Sequence, residues 1–197
     1  MREVVPHTSE RQPVTEGPPF VIPADQAILS GRPKGAHLLE VCMAHLGAAP
    51  AHSVSPLDFS SVSFMDVSCA DELLVKLLKR LGSGELANRF VYVQGLNTSL
   101  RETVEAVLEL RELAVWSKNE EGQVVLLGVL KTPMREAAEV LSARKCLTSA
   151  ELSEALDKNV NIVCNRLNAL QRMGLVCRLR DGSVEGGGRQ YYYVSIV

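Results

Sequence analysis

Between Val160 and Met173 the sequence reads Val-Asn-Ile-Val-Cys-Asn-Arg-Leu-Asn-Ala-Leu-Gln-Arg-Met, and several of these side chains are suited to reading bases. Wound as an α-helix at about 100° per residue, the segment places Val160, Val163, Leu167 and Leu170 in one arc that must face a core. Asn161, Asn165, Asn168 and Arg172 fall on the opposite side, one above another, and Arg166 flanks them. Asparagine can bond adenine bidentately, and arginine guanine, in the major groove of duplex DNA. A merely solvated face would more commonly carry Glu and Lys, because asparagine is a poor helix former. Base reading is therefore the expectation for the helix as a whole, with a plain solvated position as the alternative for any single asparagine.

Charge is distributed to match. The chain carries a formal net charge of -2, yet from Lys158 to Val197 six basic residues face only Asp181 and Glu185, a local excess of +4. Arg178, Arg180 and Arg189 flank a glycine-rich tip at Asp181–Gly188, where phosphate or minor-groove contact is expected. Asn159, in the turn before the helix, completes the set of expected DNA contacts. Tyr191 and Tyr193 share one face of the returning strand and read as packing residues.

The elements that must hold these side chains can be traced backwards. Helices are expected over Met134–Arg144, Leu147–Leu156 (with Thr148 or Ser149 as cap) and Val160–Met173, with a tight turn at Asp157–Asn159. Gly174 ends the third helix. Strands at Leu175–Arg180 and Arg189–Val197 would form a hairpin, which completes the order of a winged helix-turn-helix. Thr132-Pro133 marks a boundary, since proline suits a helix start and disfavours helix in the residue before it.

Upstream, strand and helix patterns alternate, which implies an α/β fold. Phe20–Ile22 reads as a short strand, Lys34–Leu46 as a helix, Gly47–Pro56 as a loop, and Leu57–Phe64 as one strand and a loop edge. Ser68–Leu81 is an amphipathic helix with Leu73, Leu74, Leu77, Leu78 and Leu81 on one face. Phe90–Gln94 is a buried strand, Ser99–Leu113 a helix opened by a Ser99/Glu102 capping box. Strands at Leu113–Trp116 and Gln123–Val129 follow, joined by Asn119–Gly122. Residues 1–19, rich in Pro, Ser, Thr and Glu, read as a flexible arm. The expected organisation is thus an arm (1–19), an α/β domain (20–131) and a winged helix-turn-helix (132–197).

Two resemblances accompany this reading. Leu147-Thr-Ser-Ala-Glu-Leu-Ser-Glu-Ala-Leu156, the Val163/Leu167/Leu170 spacing and Met173-Gly-Leu-Val176 together resemble winged-helix regulators of the ArsR and MarR kind, over about 65 residues. In some families that fold serves purely for protein docking, and no metal-sensing cysteine pair is present here. Leu57-Asp-Phe-Ser-Ser-Val-Ser-Phe-Met-Asp-Val-Ser-Cys-Ala-Asp-Glu-Leu73 resembles the core of STAS domains, the anti-sigma-factor antagonist fold. It is closer still to STAS-like domains of unknown function, as are Ile28–Arg32 and the strand around Val91; this likeness covers roughly residues 20–118. In the antagonists a serine after Phe-Met-Asp is phosphorylated, and the resemblance implies that role for Ser68. Here Cys69 replaces the usual glycine, and Asp66, Asp71 and Glu72 would repel a phosphate. The other reading of Ser68 is the N-cap of the leucine-rich helix.

Other classes find no support in the residues. There is no P-loop, no G-x-G-x-x-G after a strand and no H-E-x-x-H, so an enzyme and a cofactor are not expected. His37 and His45 stand eight apart, too far for one metal ion, and Cys42, Cys69, Cys146, Cys164 and Cys177 are scattered without a C-x-x-C pair. That cysteine pattern, the lack of an apolar leader and the shortness of the apolar run Val124–Leu130 point to a soluble cytoplasmic protein without a metal site. The expected function is a DNA-binding transcriptional regulator, a homodimer on duplex DNA, whose STAS-like domain receives a protein or small-molecule signal. The alternative is a signalling adaptor whose STAS-like domain docks a kinase-like ATPase or anti-sigma factor, and whose winged helix is a second docking surface.

Overall fold

A computed structural model describes residues 14–180 and 191–197. The fold is α/β. Its centre is a six-stranded, mostly parallel sheet in which β4 (Ser53–Asp58), β6 (Arg89–Gln94) and β7 (Ala114–Lys118) run parallel, and β8 (Val124–Gly128) returns antiparallel at one edge. The other edge is shared by two short strands, β1 (Thr15–Glu16) and β2 (Phe20–Val21), both parallel to β4. A separate parallel pair joins β3 (Ile28–Leu29) to β5 (Phe64–Met65).

Parallel neighbours need crossovers, and helices supply them. Helix α1 (Arg32–Ala48) leads into β4. A continuous rod of α2 (Val67–Ala70), a π-helical segment (Asp71–Val75) and α3 (Lys76–Gly82) joins the β4 side to β6, and α4 (Thr98–Leu110) joins β6 to β7. Of the leucines expected to face inward, Leu73, Leu74, Leu77 and Leu78 are buried and Leu81 packs partly buried against them. They share one core with Leu38, Leu39, Cys42 and Leu46 of α1, Leu100, Val104, Val107 and Leu108 of α4, and Leu57, Val91, Val93 and Val115 of the sheet. Gly35 lets α1 lie against the rod, because a Cβ there would stand 2.6 Å from the Cys69 carbonyl oxygen.

The second face of the same sheet is also buried. Val54, Phe90, Tyr92, Ala114 and Trp116 pack with residues of the carboxy-terminal segment in a second hydrophobic cluster. This explains why β6 reads Phe-Val-Tyr-Val without polar alternation: successive side chains enter different cores. The Trp116 indole Nε1–H donates to the Leu175 carbonyl at 2.9 Å, so the one polar atom of that ring is satisfied inside the contact.

The carboxy-terminal segment comprises α5 (Thr132–Arg144), β9 (Cys146–Thr148), α6 (Ser149–Leu156), α7 (Val160–Arg172), β10 (Val176–Arg180) and β11 (Tyr191–Ser195). Strands β10, β11 and β9 form an antiparallel sheet in that order. Pro133 sits in the first turn of α5, and Gly174, at φ 72°, ends the α7 region.

Several local expectations are corrected. Gly47–Pro56 is not a loop, since α1 extends to Ala48 and β4 begins at Ser53. Pro56 is tolerated inside a sheet because of where its missing N–H lies. Gly17 N bonds the Val54 carbonyl (2.8 Å) and Ile22 N that of Asp58 (3.2 Å), so residues 54, 56 and 58 turn toward β1 and β2. The Pro56 nitrogen therefore faces the gap between those two short strands. Phe59 and Val62, expected in or beside a strand, are buried from a loop. Thr15 and Glu16, expected in the arm, pair with Ser53 and Val54. Asn97, rather than Ser99, caps α4, its side chain accepting from Leu100 N at 2.9 Å. Strand β9 was not foreseen at all: three residues are too few for a period-two pattern to register. The expected hairpin tip, Asp181–Gly188, and Arg189 lie outside the described residues.

Candidate nucleic-acid interface

The turn that sets up α7 is defined by side-chain bonds. Thr148 and Glu151 form a reciprocal capping box at the start of α6, with Thr148 N donating to Glu151 Oε2 at 2.6 Å. Asp157 ends α6 in the left-handed region at φ 49°, and Ser153 Oγ donates to the Lys158 carbonyl at 2.5 Å. The Asn159 side-chain oxygen accepts from Asn161 N at 2.9 Å, which makes Asn159 the N-cap of α7. Its carbonyl oxygen is thus occupied in holding the turn.

Along α7, Val163, Leu167 and Leu170 are fully buried. Val160, expected with them, is instead 40% exposed, in the first turn of the helix. Asn161, Asn165 and Arg172 are exposed, Asn168 half-buried. None of the exposed three has a side-chain partner among the described residues. The stripe is divided by its surroundings. Asn168 and Arg172 line a groove of about 470 Å³ whose opposite wall is the α3–β6 turn, including Gly82, Leu86 and Asn88. The approach is close: a Cβ at Gly82 would meet the Arg172 carbonyl oxygen at 2.9 Å. Asn161 and Asn165, nearer the helix start, are not part of that groove.

The arginines part company. Arg166 does not join the outward stripe. Its side chain is only 14% exposed, and Nη1 lies 4.0 Å from Glu136 Oε2 of α5 with no hydrogen bond in the interior. Arg178 stacks its guanidinium over the Tyr191 ring at 4.7 Å, which holds it at the sheet surface beside the groove. Arg180 is exposed at the end of β10. Tyr193 is buried, and burial pushes its phenol above the usual range.

A second cluster surrounds Ser68. Asp66, not Ser68, caps the leucine-rich rod: its carboxylate accepts from Cys69 N at 2.7 Å. The same group accepts from Ser30 Oγ (2.6 Å) and from Gly31 N (2.8 Å) at the start of α1, so one carboxylate ties two helix starts together. These bonds, that from Ser30 foremost, hold Asp66 below its ordinary pKa. Next to it, Arg111 bonds Asp71 at 2.9 Å, and Glu72, buried, pairs with Lys76 and with Arg32 at 2.8 Å. Arg111 keeps Asp71 depressed, and Lys76 does so for Glu72. Of the acids expected to repel a phosphate at Ser68, Asp71 and Glu72 are therefore already ion-paired, whereas Asp66 is held by neutral donors and keeps its charge. Ser68 itself is half-buried in the first turn. Cys69 is fully buried, its thiol pushed up to about 11 chiefly by that burial.

Asp66 and Asn97 were legible in principle as caps: each is an Asp or Asn three residues ahead of the amide it bonds. Among the described residues no His, Cys, Asp and Glu side chains converge on a metal-binding point, and no helix is long and apolar enough to cross a membrane. Comparison with known proteins finds no family model that matches the chain and no match among curated proteins.

Proposed function

We propose that the chain is a cytoplasmic, non-enzymatic transcriptional regulator in which a STAS-like α/β domain carries a winged helix-turn-helix that binds duplex DNA. The observation that carries this reading is the outward pair Asn161 and Asn165 on α7, with no side-chain partner among the described residues, behind a helix–turn–helix held by the Thr148/Glu151 and Asn159 caps. Asparagines placed so can bond adenine edges in the major groove. Arg172, Arg178 and Arg180 lie on the same segment and suit phosphate oxygens. The segment around Asp66 and Ser68 is the surface on which the STAS-like domain would receive a protein signal.

The reading is tested by selecting duplexes from a random library with the full chain and measuring affinity by fluorescence anisotropy. Asn165→Ala is expected to weaken the selected duplex by about 1–3 kcal/mol, roughly 5- to 150-fold, and random duplex far less. Equal losses on both would remove the base-reading role, and no retention on any duplex or on heparin at low salt would remove the regulator itself.

One observation favours the adaptor reading. Val160 and Ile162 are 40% and 48% exposed on the first turn of α7, an apolar surface that suits a protein partner. In that case Ile162→Asp abolishes capture of the partner while heparin retention is absent from the outset.

A further inference from the structure

The two edges of the central sheet are built differently. On one side the chain breaks its edge into two-residue strands, β1 and β2, separated by Gly17-Pro18-Pro19. Short strands and prolines are the usual means of stopping a sheet from adding further strands. On the other side β8 reads Val-Val-Leu-Leu-Gly, with neither a charge nor a proline, and no strand among the described residues pairs with its outer edge.

The hydrogen-bond register says which groups are open. Val129 N donates to the Leu113 carbonyl at 2.9 Å, and Asn119 N to that of Gln123 at 3.0 Å. With Val125 opposite Ser117 and Leu127 opposite Val115, the odd-numbered residues 123–129 direct their N–H and C=O into β7. Val124, Leu126 and Gly128 therefore turn theirs outward. Gly128 confirms the parity, since its carbonyl accepts from Arg135 Nη2 at 3.4 Å. Among the described residues, the N–H and C=O of Val124 and Leu126 remain open. Around them Val125 is 36% exposed, Val129 44%, and Leu110, on the helix that packs over β8, 71%.

We propose that β8 pairs antiparallel with β8 of a second copy of this chain, about a two-fold axis through Val125. In that register each Val124 exchanges backbone hydrogen bonds with Leu126 of the other copy, about four new bonds in all. The two Val125 residues meet as a non-hydrogen-bonded pair with Cα atoms about 4.5 Å apart. Charge selects the same orientation. Glu120 and Glu121 lie at one end of β8 with Lys118 of β7 beside them, and Lys131 and Arg135 at the other with Glu136 beside them, so antiparallel pairing sets each net acidic end against the net basic end of the second copy. A parallel arrangement would set like against like. The axis runs perpendicular to the sheet, which keeps both carboxy-terminal segments on the same face of one continuous sheet. An interface in which the same patch meets itself is the form expected of a closed dimer.

The test is sedimentation equilibrium of the full chain over roughly 1–300 µM, read without DNA so that it stands apart from the proposed function. The wild-type chain is expected to dimerise. Val125→Lys puts two ammonium groups at the axis, and Leu126→Pro deletes an outward N–H without touching the bonds to β7. Each is expected to weaken association at least about tenfold with unchanged circular dichroism. Should Leu126→Pro fail to fold, Val125→Lys decides. A wild-type chain that stays monomeric throughout, or a folded Val125→Lys variant that dimerises as tightly as wild type, overturns the proposal.

Discussion

The surface around Ser68 and the surface of α7 both looked, by residue type, like places where chemistry or recognition could happen. They differ in what their polar groups already hold. Around Ser68, the carboxylates of Asp66, Asp71 and Glu72 are each engaged, by Ser30, Gly31 and Cys69, by Arg111, and by Arg32 and Lys76. On α7, Asn161, Asn165 and Arg172 are exposed and have no side-chain partners among the described residues. Polar groups that satisfy one another fix the relative placement of helices. Polar groups left open on a capped, packed helix remain available to an external partner. The carboxylates around Ser68 are spent on holding helices together, whereas the polar side chains on α7 are, among the described residues, left open.

That contrast can be broken most directly at Asp66. Asp66→Ala removes the cap of the rod and the tie to α1 together, and is expected to cost about 1–2 kcal/mol, the upper part of the range for a single cap. Ser68→Ala, by contrast, is expected to stay within about 0.5 kcal/mol. Urea midpoints measure both, and a Ser68→Ala loss exceeding that of Asp66→Ala would reverse the assignment of the cap.

Acid sharpens the same comparison. The folded-state pKa values of Asp66, Asp71 and Glu72 are held below their unfolded ones by bonds to Ser30, Arg111 and Lys76 respectively. Their contribution is fully present above the ordinary carboxylate range, about pH 4. It is lost as the pH falls through the depressed folded values. The midpoint of urea unfolding is therefore expected to drop between about pH 5 and pH 2. In Asp66→Asn that drop should be smaller; an equally steep fall in the variant would detach Asp66 from the acid response.

The smallest effects separate the arginines of the carboxy-terminal segment. Arg178→Ala is expected to weaken selected and random duplex alike and to lower the slope of log affinity against log salt by up to about 1. Arg166→Ala, at a side chain turned toward Glu136, is expected to leave that slope unchanged. A salt slope altered by Arg166→Ala would return it to the residues proposed to contact DNA.

Much of the architecture was legible wherever a periodic pattern was long enough to be self-consistent. The leucines of the rod and the inward arc at Val163, Leu167 and Leu170 each specify a helix and its buried side, and the unbroken apolar run in β6 a buried strand, from local chemistry alone. Shorter features were not. Strand β4 was hidden by Pro56, which is acceptable only because β1 and β2 leave a gap opposite its nitrogen. Ser99 and Asn97 are both plausible caps by type, and only the backbone path selects Asn97. Arg166 belongs to the polar side of α7 by angle, yet α5 happens to cover it.

The sequence by itself determined which segments wind into helices, which residues of each must leave water, and where local positive charge accumulates, because these depend on neighbours a few positions apart along the chain. Only the tertiary structure decided that both faces of the sheet are buried, that Asp66 binds two helix starts at once, and that Asn168 and Arg172 border a groove while Asn161 and Asn165 do not. Those outcomes depend on residues dozens of positions away. Whether a polar side chain is spent inside the protein or left open outside is settled by which distant element packs beside it.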